Sequence, residues 1–225
     1  QNRIVRDLSL NASSSGANLL MFDVQQAQAA PIDSIIRARG FKVTQQSPVV
    51  PMRIASINGR TAESIVGDST RNPGTRRAGW AVRREYRSTY RDSITAGETL
   101  TEGKWFAPER AGAAPFTTGD TGEVSLDAGV ASELKVKLGD EITWNVQGVE
   151  IPTKVTSLRD VKWTRFEPNF FAVFPSRVLR DAPHQFTVLA NVPGALDVAT
   201  VQRDVVRSFP NVSSIDLSLI TETIG

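Results

Sequence analysis

The chain has 225 residues, with 26 basic and 24 acidic side chains, one histidine and no cysteine. A chain of this length buries roughly 70% of the surface its unfolded form exposes, so a sizeable core forms without staples. Disulfides, thiolate nucleophiles, iron–sulfur clusters and cysteine zinc sites are excluded. The near-balance of charge supplies no concentrated basic face for nucleic acid. No run approaches eighteen apolar residues, so nothing in the sequence spans a membrane as a helix.

Residues 1–17 are polar and contain the run NASSSGAN, which reads as an entry segment. Residues 18–24 (NLLMFDV) read as a buried strand. Pro31 stands at a helix first turn, Ile32, Ile35 and Ile36 share a face, and Gly40 is a stop. Residues 49–57 alternate as a strand through Val50, Met52 and Ile54, and Asn58-Gly59 is a tight turn. Residues 61–79 read as loop around Asn72-Pro73-Gly74. Residues 82–90 (VRREYRSTY) read as a strand, and 107–122 as a second loop.

Residues 123–126 are a short strand, and Asp127 is placed to cap a helix carrying Val130, Ala131 and Leu134. After the Leu138-Gly139-Asp140 turn, Ile142, Trp144 and Val146 alternate with polar residues as a half-buried strand. Gly148 opens a hairpin into a strand over 153–159. Ser176 is placed to cap a short helical turn. Residues 185–192 form a strand. Asp197 is placed to cap a helix with Val198, Val201, Val205 and Phe209 in one stripe, and 211–217 form the last strand. The expected architecture is α+β. Two strand–helix–strand units at the chain ends (18–79 and 176–225) make one subdomain, and a mostly antiparallel, β-rich subdomain (80–175) is inserted in it.

Trp163, Phe166, Phe170, Phe171 and Phe174 fall within twelve residues, the densest aromatic stretch of the chain. Such a stretch belongs where elements meet, and it is expected to pack the junction of the two subdomains and the cores beside it. Lining for an apolar ligand is the other reading.

Chemistry is thinly represented. His184 would have to serve any Ser-His-Asp triad, and no Gly-x-Ser-x-Gly elbow accompanies it. Neither a phosphate-binding glycine pattern nor a calcium-loop spacing occurs; Asp120-Thr121-Gly122-Glu123 reads as a solvated loop. No catalytic residue, metal site or cofactor is expected. One charge cluster stands out: Arg71, Arg76, Arg77, Arg83, Arg84, Arg87 and Arg91, interrupted by Glu85 and Asp92. On a strand over 82–91, Arg83, Glu85, Arg87, Thr89 and Arg91 share a face, with Arg84 opposite. Arg83, Arg84, Arg87 and Arg91 are the candidates for contact with an acidic or phospholipid-headgroup partner. An ordinary solvated sheet face is the plainer reading.

The segment SLDAGVASELKVKLGDEITWNVQG followed by VTSLRDVKWTRFEPNFFAVFP resembles the extracytoplasmic domain of MacB/FtsX-type (type VII, mechanotransmission) ABC transporter permeases. Leu138-Gly139-Asp140 is similar to their helix–Leu-Gly-Asp–strand signature. Arg165 to Phe171, together with NLLMFDVQ and ETLTEGKWF, is similar to the YbbP-like subgroup. The resemblance spans nearly the whole chain. It implies a non-enzymatic domain on the periplasmic side of a bacterial inner membrane. The subdomain built from the chain ends would lie near the membrane. Membrane helices would flank Gln1 and Gly225, and a cognate cytoplasmic ATPase would be the partner. Export of a lipid, lipoprotein or similar hydrophobic cargo, or work on a periplasmic protein, is implied by the resemblance alone. A sensor or binding module regulating an envelope enzyme is the alternative.

Overall fold

The computed structural model describes residues 17–162 and 170–218. Trp163 and Phe166, and all but the last residue of the entry segment, lie outside the described residues. In chain order the elements are β1 (Leu19–Gln25), α1 (Gln26–Ala38), β2 (Lys42–Ile57), β3 (Arg60–Thr61), α2 (Ala62–Arg71), a 3₁₀ turn (Pro73–Thr75) and α3 (Arg76–Arg83). Then come β4 (Tyr86–Tyr90), β5 (Glu98–Gly103), β6 (Gly122–Asp127), α4 (Ala128–Leu134), β7 (Glu141–Val146) and β8 (Val149–Val161). The chain continues with β9 (Ala172–Phe174), α5 (Ser176–Leu179), β10 (Gln185–Asn191), α6 (Ala195–Ser208) and β11 (Ser213–Asp216).

The chain divides into two compact units. Among the described residues the first holds 17–49, 162 and 184–218, and the second holds 50–161 and 170–183. The boundary falls at 49/50 rather than at the expected 79/80, because the second half of β2 pairs within the β-rich unit. Residues 50–79 therefore belong with that unit, and so do 176–183.

The first unit is a four-stranded antiparallel sheet in the order β11-β1-β10-β2. Its β-α-β plus β-α-β sequence in that order is the split βαβ arrangement. Gln25 and Gln28 form a reciprocal capping box at the start of α1. At its end Gly40 takes φ +82, and Gly40 N and Phe41 N donate to the carbonyls of Arg37 and Ile36, closing a Schellman motif. Ile32 and Ile36 from α1 join Val198, Val201 and Val205 from α6 over Leu19, Met21, Val188 and Ala190. The α6 cap is Gly194; Asp197 sits inside the first turn, where its charge favours the helix dipole.

The second unit is mostly antiparallel, as expected, with two parallel pairings, β6–β8 and β4–β9. The pairings run β2–β4–β9–β6–β8–β7 and return to β2, a closed circuit of six strands. Closure removes sheet edges. Inside it Trp144 meets Tyr86 and Phe174 edge-to-face at centroid separations of 5.4 and 5.5 Å. Trp144 Nε1 donates to Thr153 Oγ1 at 3.0 Å, and that hydroxyl donates to the Ile142 carbonyl at 2.7 Å, so these two buried side chains are satisfied.

The expected loop over 61–79 is two helices. Thr61 Oγ1 accepts from Ser64 N as the cap of α2, and α3 packs beside α2 with Gly79 against Ser69. The expected strand over 82–90 begins only at Tyr86, because Val82 and Arg83 complete α3. Asp127 caps α4 as expected, accepting from Val130 N at 3.1 Å. Ser176 is the first residue of α5 rather than its cap; its N–H donates to Asp92 Oδ1 at 3.0 Å.

Candidate functional site

Arg159 lies on β8 and is fully buried. Such a charge survives only if it is paired and saturated with acceptors. Its Nη1 donates to Glu98 Oε1 at 2.7 Å and its Nε to Ser125 Oγ at 2.9 Å. Its Nη2 donates to the carbonyls of Ser125, Phe170 and Phe171 at 3.3, 3.0 and 3.2 Å. Burial drives its pKa down to about 10, with Glu98 acting in the opposite direction, so the guanidinium stays charged at neutral pH. Glu98 also accepts from Arg91 Nη2 at 2.6 and 2.7 Å. The Phe171 carbonyl accepts a further bond from Asp127 N at 2.8 Å. Burial pushes the Asp127 carboxyl above its ordinary range, against the opposing pull of Val130 N–H. The network thus binds β5, β6 and β8 to the start of the 170–174 segment.

A second cluster surrounds Arg84. Its guanidinium carbon lies 4.2 Å from the Phe171 ring centroid, 5.0 Å from Trp80 and 5.4 Å from Tyr86. Tyr86 donates its hydroxyl to the Ala81 carbonyl at 2.6 Å, and burial raises its pKa far above the usual phenol value.

The arginine candidates therefore occupy four different environments. Arg83 ends α3, exposed, with its carbonyl accepting from Arg53 Nη1 at 2.8 Å. Arg84 is held among the three rings. Arg87 is exposed on β4. Arg91 belongs to the Glu98 ion pair and stacks 5.6 Å from the Trp105 centroid. Of the aromatic candidates, Phe174 is fully buried core, Phe170 is buried, and Phe171 is half-buried against Tyr86, 6.4 Å away. All three lie in the second unit.

The Leu138-Gly139-Asp140 turn has a structural account. Gly139 takes φ +86, Gly139 N donates to the Val155 carbonyl at 2.8 Å, and Val155 N donates to the Asp140 carbonyl at 2.9 Å. Asp140 Oδ2 accepts from Lys137 N at 2.9 Å, a bond that lowers its pKa. The turn is thereby clamped to β8. Asp120 likewise closes its own loop by accepting from Thr117 N and Oγ1.

His184 packs edge-on against Phe186 at 5.1 Å. Among the described residues no group of three or more His, Asp or Glu could hold a metal, and no helix is long and apolar enough to cross a membrane. The first unit carries an open cleft of about 570 Å³ between α1 and β2, lined by Ala29, Asp33, Arg37, Val43, Gln45 and Phe186 among others.

No family model matches the chain. It is similar to the uncharacterized ABC transporter permease YbbP of Escherichia coli K12, 26% identical over 207 residues. The alignment covers 92% of this chain, which spans 22% of that relative's length. Among solved structures, a domain of a protein assigned as a permease from Porphyromonas gingivalis aligns at TM-score 0.40 and 11% identity over 89% of this chain and 88% of that one. The chain is a homologue of an ABC transporter permease of the YbbP kind, along about a fifth of that permease's length.

Proposed function

We propose that this chain is a non-catalytic periplasmic domain of an ABC transporter permease. Cytoplasmic ATP hydrolysis by a separate subunit moves the membrane helices, and the domain passes that motion to a hydrophobic cargo (a lipid, a lipoprotein or a similar molecule) or to a periplasmic protein. The observation that carries this reading is the alignment with YbbP along nearly the whole chain but only 22% of the permease. One contiguous part of a transporter is matched, and its described residues contain no membrane-crossing helix. The first unit, which contains both the first and the last of the described residues, is the membrane-proximal one in this proposal.

The mechanical requirement is a stiff body with a surface that changes contacts between two states. A closed strand circuit with a saturated internal ion network supports the first half of that requirement.

The test is a full-length permease lacking residues 18–218, reconstituted with its ATPase in proteoliposomes. ATP hydrolysis is expected to persist while release of a fluorescent phospholipid or an acylated lipoprotein to an acceptor is lost. Unchanged release contradicts the proposal.

A further inference from the structure

Helix α3 is short and one-sided. It buries Ala78, Gly79, Ala81 and Val82, and it leaves Trp80 60% exposed. Arg76 and Arg83 lie one turn before and one turn after Trp80, and Arg77 lies three residues before it, so these side chains border the indole. Arg76, Arg77 and Arg83 are exposed. Among the described residues none of their side chains, nor that of Arg84, has a hydrogen bond or ion pair, and the adjacent Glu85 is turned to Arg53 at 3.9 Å.

Arg84 is the most constrained of the four. Its guanidinium is held against Phe171, Trp80 and Tyr86, and among the described residues its N–H donors have no acceptor. A guanidinium fork oriented in advance and next to an exposed indole is suited to bidentate capture of a carboxylate. Tryptophan and arginine are also the residue types enriched where protein partners bind.

We propose that Trp80, with Arg76, Arg77, Arg83 and Arg84, forms a docking face for an acidic segment of a protein partner. The segment places carboxylates on the guanidinium groups and an apolar side chain on the indole. Charge complementarity requires the acid. The turn-by-turn spacing of the arginines along a helix gives the face a register that a fluid headgroup layer cannot match, which favours a polypeptide. The inference does not depend on transport coupling.

The experiment uses this chain and a dye-labelled synthetic peptide of alternating glutamate and leucine, followed by fluorescence anisotropy. A lysine–leucine peptide and phosphatidylglycerol vesicles are the comparison probes. The glutamate peptide is expected to bind, and Arg77→Glu or Trp80→Ala to weaken it at least tenfold. Arg84→Lys, which keeps the charge and loses the fork, is expected to weaken it several-fold at an unchanged unfolding midpoint. Arg203→Glu, the same charge change at an exposed site in the first unit, is expected to have little effect. Equal weakening by Arg203→Glu, binding of vesicles but not of the glutamate peptide, or no binding at all overturns the proposal. Each of those results leaves the permease reading intact, because that reading is tested in membranes.

Discussion

Arg159 Nη1 lies 2.7 Å from Glu98 Oε1 with both side chains out of water, and the same guanidinium holds the Phe170 and Phe171 carbonyls. Removing Arg159 leaves the buried Glu98 carboxylate with Arg91 as its ion-pair partner and takes a donor from the Phe170 and Phe171 carbonyls. Arg159→Met is expected to destabilise the chain by about 3–5 kcal/mol. The double variant Glu98→Gln/Arg159→Met is expected to recover part of that loss, because the buried carboxylate charge is gone and the charge left without its ion pair, Arg91, is partly exposed. Urea unfolding of the two variants measures the coupling; strictly additive effects would remove the network from the account.

The aromatic centre of the strand circuit gives a graded series. Trp144→Phe keeps most of the edge-to-face packing and loses the bond to Thr153, an expected cost of about 1–3 kcal/mol. Trp144→Ala also opens a cavity between Tyr86 and Phe174 and is expected to cost about 3–5 kcal/mol. Thermal unfolding of both variants checks the order.

Gly79 tests the packing of α2 on α3. A Cβ at this position would overlap Ser69 Oγ and Cβ, whereas one at Gly67 on α2 meets nothing within 4 Å. Gly79→Ala is therefore expected to lower the unfolding midpoint and to disturb the Trp80 face. Gly67→Ala is expected to be neutral or stabilising through its helix preference. Equal effects of the two would contradict the close approach.

Asp140 accepts Lys137 N–H in the folded state, and its pKa is held below the ordinary 3.8. A carboxyl whose folded pKa is depressed stabilises the fold above its unfolded value, and the contribution fades as pH falls through the folded pKa. The stability advantage of the native chain over Asp140→Asn is thus expected at neutral pH and to shrink as pH drops below about 3.8. Unfolding curves across that range check the sign; an advantage that grew toward acid would contradict it.

Elements with clear periodicity were legible in the sequence. The Ile32–Ile36 face, the alternation from Ile142 to Val146 and the Val198–Val205 stripe each state a burial pattern that one element satisfies. Helices α2 and α3 were not legible. Ile65 and Val66 are too few to mark a face on α2, and α3 owes its inward side to Ala78, Gly79, Ala81 and Val82, small or lone apolar residues among arginines. Two-residue counting from Val82 to Arg91 therefore ran through a helix end. The buried network was hidden for a different reason. Arginine on a strand reads as a solvent-facing residue, and its partner Glu98 lies 61 positions away. The strand alternation of Val155, Ser157 and Arg159 on one buried face was the signal that could have revealed it.

The claim that this chain is a periplasmic domain is open to one direct measurement. The chain contains no cysteine, and Leu196 is 85% exposed on α6. Leu196→Cys in the full-length permease, in spheroplasts with an intact inner membrane, is expected to react with a membrane-impermeant maleimide to the same extent before and after lysis, over the background of the unsubstituted permease. Labelling that appears only after lysis would place the domain on the cytoplasmic side and contradict the account.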